Sequence, residues 1–192
     1  MQINKEVLKS LNPCFDRYEH FLENNANFDG SFNDFLDLTN LDYDDKTWVA
    51  EKILTQNQAV IWSVLCAESV LHIFEKKYPK DKRPRDCINF LKTVKDFNNL
   101  NDIEKSEIKR HLDIIQVSYA TDCVAYAATA VHYATYNSAR AASGAANYAI
   151  HTANNAAYSA AYAARNAGED VSAAGNNQQA LNIQFLKQVT SL

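Results

Sequence analysis

Glycine and proline are nearly missing from this chain, with four of the first and three of the second in 192 residues. A sandwich or barrel of short strands needs a turn former roughly every ten residues, and this sequence cannot supply them. No alternation of Val, Ile or Thr marks a half-buried strand. The chain is therefore expected to be all-α, a helical bundle with short connections. At 192 residues with 47% hydrophobic and 22% charged content, it is long enough for one real core with a small appended module. A break near residue 42 is expected, with a short helical module at 1–42 and an alanine-rich helical domain at 43–192.

The helices are legible in order. "CFDRYEHFL" puts Cys14, Tyr18, Phe21 and Leu22 on one stripe, with Asn12 as a cap before Pro13. "NNANFDGS" reads as a loop. Ser31 followed by Asp34 is a capping-box variant opening "SFNDFLDL". "LDYDDKTWVAEKIL" starts a helix with acids in its first turn. "QNQAVIWSVLCAESVLHIFEKKY" is apolar over so much of its circumference that it is expected to be central. Pro84 restarts a helix through "RDCINFLKTVKDF". From about Asp102 the chain reads as helical to its end, with interruptions near "NSARAASG" and "AGEDVSAAGNN".

The stretch from Val124 to Arg165 is almost wholly alanine, tyrosine and small polar residues. Steps of three and four join Tyr119, Asp122, Tyr126, Thr129, Tyr133, Tyr136 and Arg140 into one seam. The same steps join Tyr148, His151, Asn155, Tyr158, Tyr162 and Arg165 into another. The remaining faces carry alanines, which let helix axes approach closely. Two readings follow: tyrosines as filler with wet tips between antiparallel helices, or a Tyr/His/Asn/Arg-lined groove where the seams meet.

Charge is unevenly spread. The net charge is −4, yet Pro13–Glu51 holds ten acids against two bases. Asp42, Asp44 and Asp45 make this segment a candidate acidic surface for a basic partner. "EKKYPKDKRPRD" gathers six bases, of which Arg83 and Arg85 flank Pro84 at a helix start and are candidates for anchoring a phosphate or a partner's carboxylates. The acidic balance and the lack of a basic stripe argue against nucleic acid.

Catalytic signatures are missing. No HExxH, GxGxxG, GxSxG or phosphate loop occurs, and the five histidines lack metal-ligand spacing. Glu68 and His72, four apart on one helix, are the one pair suited to a metal or a proton relay; a polar contact at the edge of the core is the plainer reading. No cofactor and no metal are expected, and the chain is read as a non-enzyme. Cys14, Cys66, Cys87 and Cys123 form no CxxC pair and read as free thiols. No signal peptide or bilayer-spanning stretch is read, so a cytoplasmic location without membrane contact is expected.

"VLCAESVLHIFEKKYPKDKRPRDCINFLK", followed by an alanine-rich helical half, resembles a family of immunity proteins of bacterial polymorphic toxin systems, the fifth such family, which also occurs in phage genomes. The matching blocks are Cys66-Ala67-Glu68, "IFEKKYP" and Arg83-Pro84-Arg85, and the likeness spans roughly Tyr43 to Leu192. This chain departs from the pattern in carrying tyrosine where such proteins often have tryptophan. The resemblance implies an all-helical, non-enzymatic protein that neutralises a toxin or a defence effector by binding it. The residues alone leave a second function open, a sponge for a small anionic, nucleotide-derived signal. Its phosphates would sit on Arg83, Arg85, Arg140 or Arg165 and its base on the tyrosines. They also leave open whether the chain works as a homo-oligomer.

Overall fold

The computed structural model describes residues 1–114, 123–138 and 142–191. Among these, ten helices and one two-stranded sheet occur, so the all-α expectation holds. The strands β1 (Gln2–Asn4) and β2 (Asp29–Ser31) pair antiparallel, with Ile3 opposite Gly30. The loop expected at "NNANFDGS" thus ends in a strand. Three residues per strand are too few for any alternation to show in sequence.

The acidic third holds four helices: α1 (Lys5–Ser10), α2 (Phe15–Asn25), α3 (Phe32–Leu36) and α4 (Tyr43–Ile53). Asn12 is not the cap of α2. It takes a left-handed φ of 55° after α1, and Cys14 occupies the cap position instead. An asparagine tolerates that conformation, which turns the chain between two helices. The Ser31–Asp34 capping box forms in full, with the Asp34 carboxylate accepting from the Ser31 N–H at 2.8 Å and the Ser31 hydroxyl accepting from the Asp34 N–H at 3.2 Å. The Ser31 hydroxyl, which donates to the same carboxylate at 2.6 Å, and then the Ser31 N–H hold the Asp34 carboxyl below the usual carboxylate range.

The helix α5 (Gln56–Lys77) is the centre of the bundle, as its all-round apolarity demands. By length and composition it is the one helix among the described residues that could cross a membrane, but it is wrapped by α8 (Cys123–Ser138), α9 (Ala142–Ala167) and α10 (Val171–Thr190). Its Trp62, Val60, Cys66, Ala67, Val70 and Leu71 are fully buried. Burial pushes the Cys66 thiol well above its ordinary pKa, so it packs as a small apolar group.

Between α5 and α8 lie α6 (Arg83–Leu91) and α7 (Asp102–Ile114). The expected helix through "RDCINFLKTVKDF" stops at Leu91. Beyond it Asp96 gathers donors from Asn99, Asn98 and Asn57, which lower its carboxyl to about 2, while Asn57 accepts from the Phe97 N–H at 2.7 Å. These contacts outbid the last turn of a helix.

The alanine-rich helices α8 and α9 answer the question of the seams. Ala127, Ala130, Ala134, Ala145, Ala149, Ala153 and Ala156 are fully buried toward the core, while the tyrosines stand at the outer edge, half-buried or exposed. Ring contacts run in opposite order along the two helices, so they are antiparallel: Tyr126 meets Tyr158 and Tyr162, Tyr133 meets His151 and Tyr148, and Tyr136 meets Tyr148. A left-handed Gly168 (φ 75°) closes α9, with the Glu169 N–H donating to the Ala164 carbonyl. Asp170 then caps α10. The C-terminal helix ties the N-terminal third to the bundle through an Asp37–Lys187 ion pair and an Asn33–Thr190 hydrogen bond.

Candidate functional site

A cleft of about 350 Å³ opens between α2 and α4, floored by α3 and closed at one end by α1. Its walls are Leu8, Pro13, Tyr18, Phe21, Phe35, Leu41, Trp48 and Val49. The floor is rigid because Phe21, Phe28, Phe32 and Phe35 pack as one aromatic cluster with ring centroids 6.1–6.5 Å apart. Periodicity explains the walls. The inward stripe of α2 supplies Tyr18 and Phe21, and that of α4 supplies Trp48 and Val49. The two stripes do not close on each other, and an apolar opening remains.

The mouth of the cleft is charged. Asp44 and Asp45 line it from the first turn of α4, and Arg17 faces them from α2. The Arg17 guanidinium donates to the Asp45 carboxylate at 2.5 Å and reaches Asp42 at 3.5 Å. The bond to Asp45 and its charge raise the Arg17 pKa further. Asp42 also caps α4, its Oδ1 accepting from the Asp45 N–H at 2.7 Å. Three carboxylates thus share one arginine. Lys46, the other base of this stretch, interacts with Asp37 and Lys187 ahead of Asp42, and burial lowers its pKa. The expected acidic surface and this apolar cleft are one site. It lies across the boundary expected at residue 42.

The other residues singled out in the sequence fall into three places. The first is the contact of α5 with α6. Arg85 grips Glu75 with both arms, at 2.9 and 2.8 Å, and donates to Glu68 at 3.1 Å; Lys92 also pairs with Glu68 at 2.5 Å. Arg85 holds the Glu75 carboxyl below its usual range. Arg83 is bidentate on Asp81 at 2.9 and 2.6 Å and donates to the Ile114 carbonyl at 3.1 Å. Both arginines are thus engaged by groups of their own chain. The Glu68 carboxylate turns to Arg85 and Lys92, whereas His72 Nδ1 lies 3.0 Å from the Ser69 carbonyl. Among the described residues, no group of three or more His, Cys, Asp or Glu is placed to hold a metal ion.

The second place is the outer face of α8 and α9, where Tyr126, Tyr133, Tyr148, His151, Tyr158 and Tyr162 form a ladder and Arg165 is exposed in the last turn of α9. The two seams meet ring against ring. The third is outside the described residues: Asp122, Arg140 and Tyr119 fall there.

No family model, curated protein or solved structure matches this chain. What sequence reading missed was the apolar half of the site. Tyr18, Phe21, Trp48 and Val49 were visible as helix stripes, but a cleft made by stripes of different helices has no signature along the chain. The signal available was Arg17, one of only two bases within an acidic segment.

Proposed function

We propose that this chain is a non-enzymatic, immunity-type or phage anti-defence protein that neutralises a toxin or defence effector by binding it in the cytoplasm, without a cofactor. The cleft with its acidic rim carries this reading. A preformed apolar opening beside surplus negative charge suits a protein partner whose basic surface presents a large side chain. The acidic balance of Pro13–Glu51 extends that field over the surrounding surface and favours fast encounter with a cationic partner. The resemblance of the Cys66-Ala67-Glu68 and Arg83-Pro84-Arg85 blocks to immunity proteins points the same way.

Co-expression with cationic toxin domains tests it through restored growth. The wild type is expected to rescue. The triple variant Asp42→Lys, Asp44→Lys, Asp45→Lys is expected to fail while keeping its helical circular dichroism. Unchanged rescue by the triple variant would remove this face from the proposal.

The sponge remains the second reading, favoured by one feature, the aromatic ladder with exposed Tyr158 and Arg165. Its phosphate anchors Arg83 and Arg85 would have to release Asp81, Glu75 and Glu68 first. Native mass spectrometry after lysate incubation separates the two: a retained mass of a few hundred daltons, released on denaturation, supports the sponge.

A further inference from the structure

Arg17 is an unusual wall residue. It crosses the mouth of the cleft from α2 to bind Asp45 and Asp42 on α4, yet its side chain stays 49% exposed. Asp42 is open to water as well, whereas Asp45 is sheltered, so another cation entering from the solvent side can take the place of this half-exposed guanidinium. The carboxylates it holds are fixed independently of it: Asp42 is locked as the cap of α4, and Asp45 is positioned by that same first turn. Below them the cleft has an apolar lining and about 350 Å³ of space, enough for one large aromatic or aliphatic side chain.

We infer that Arg17 stands in for a cation of the partner. Resting on the reading of this chain as a protein-binding inhibitor, the proposal is that the cleft takes a large apolar side chain from a basic polypeptide segment. An arginine of that segment replaces Arg17 on Asp45 and Asp42. Charge selects this occupant over a second copy of the chain. A copy would bring its own Phe15, 74% exposed beside the cleft-lining Cys14, but it would also set one acidic rim against another. A basic segment meets no such penalty, because three carboxylates face one arginine before it arrives. The exchange leaves that guanidinium free to turn into water, so no charge is buried unpaired.

Trp48 lines the cleft and gives the test a reporter. The other tryptophan, Trp62, is fully buried at the centre of the bundle, and a Trp62→Phe background assigns any spectral change to Trp48. The probe is a short peptide without tryptophan or tyrosine that carries phenylalanine flanked by arginines, titrated into the full chain. A saturable change in Trp48 emission is expected. It should weaken at least tenfold when the phenylalanine is serine, and likewise in Asp44→Lys/Asp45→Lys. Arg17→Ala is expected to bind several-fold tighter, since it removes the internal competitor. This sign separates the proposal from a merely structural Arg17, whose loss would weaken binding. No saturable change up to about 1 mM peptide, equal binding of the serine peptide, or weaker binding by Arg17→Ala would each overturn it. If any of these occurs while growth rescue by the wild type persists, the chain is still an inhibitor and acts through another occupant or face.

Discussion

Trp62 and Asn182 lie 120 positions apart and are joined at the centre of the bundle, where the indole N–H donates to the Asn182 carbonyl at 2.9 Å. The Asn182 side chain continues the link. Its amide nitrogen donates to the Ala153 carbonyl at 2.9 Å and to the Tyr43 hydroxyl at 3.2 Å, while its oxygen accepts from Gln178 at 3.0 Å. Gln178 in turn reaches the Ser69 hydroxyl at 2.8 Å. One buried asparagine thus sets the register of α4, α5, α9 and α10. Burial raises the Tyr43 hydroxyl above its ordinary pKa, so it remains a neutral partner in this network.

Replacing Asn182 with leucine keeps the branched shape, adds some bulk and strips the partners. Gln178, Tyr43 and the Ala153 carbonyl then lose bonds in a dry interior. The expected cost is about 1–3 kcal/mol for such buried groups, read as a lower urea midpoint at unchanged m-value. A midpoint within error of wild type would mean that water enters and replaces the network.

The alanine faces and the tyrosine edge respond differently to change. Ala130 and Ala153 are fully buried where α8 and α9 approach α5 and α10. Ala153→Leu inserts a branched side chain where axes are close, and overpacking of this kind costs about 1–3 kcal/mol. Tyr158 is 55% exposed, and Tyr158→Ser should stay within about 0.5 kcal/mol. Thermal unfolding of the two variants checks the contrast. A large loss at Tyr158 would make the ladder part of the core.

Much of this was legible in the chain because it is locally encoded. Helix propensity and the scarcity of turn formers point to the class, the Ser31–Asp34 pair marks a helix start that forms as read, and the apolar residues spread over much of the circumference of 56–77 mark the central helix. What was not legible is set by contacts between distant segments. The strands β1 and β2 exist because Gln2–Asn4 finds Asp29–Ser31, and α6 ends early because Asn57 and Asp96 claim the following amides. Arg83 and Arg85 looked like open anion anchors. Asp81 lay two residues from Arg83, but Glu75 and Glu68 reach Arg85 only once α6 folds back on α5. The acids of the candidate site adjoin along the chain and so are legible as a cluster, while their cleft requires four elements to meet.

The two arginines flanking Pro84 should therefore differ in their effect on stability. Arg85 is about 30% exposed and holds Glu75 and Glu68, each similarly sheltered. Arg85→Met leaves Glu75 without its cation and is expected to cost about 1–2 kcal/mol, as charged hydrogen bonds do. Arg83 is more than half exposed, and Arg83→Met should cost under about 1 kcal/mol. Because Arg85 depresses the Glu75 carboxyl, that stabilisation is full above the unfolded carboxylate range and fades as pH falls through the lowered value. Acid unfolding of Arg85→Met should lack this part of the slope. Equal losses at the two sites would contradict the division of roles.

His111 sets the pH response nearer neutrality. Its ring is 2% exposed, lies against Phe90 with centroids 5.4 Å apart, and faces Arg110 at 3.2 Å and Glu107 at 4.0 Å, with Asp86 acting from α6. Burial lowers its pKa from 6.5, Arg110 lowers it further, and the pull of Glu107 and Asp86 in the other direction is weaker. The folded chain therefore refuses a proton that the unfolded chain accepts. Stability is complete above the unfolded histidine value and is lost as pH falls below it toward the lowered folded value. Urea unfolding across pH 7.5 to 5 should show a falling midpoint below about 6.5. His111→Phe, which keeps the ring on Phe90 and removes the titration, should flatten that limb. A limb of unchanged slope in His111→Phe would place the proton uptake at another residue.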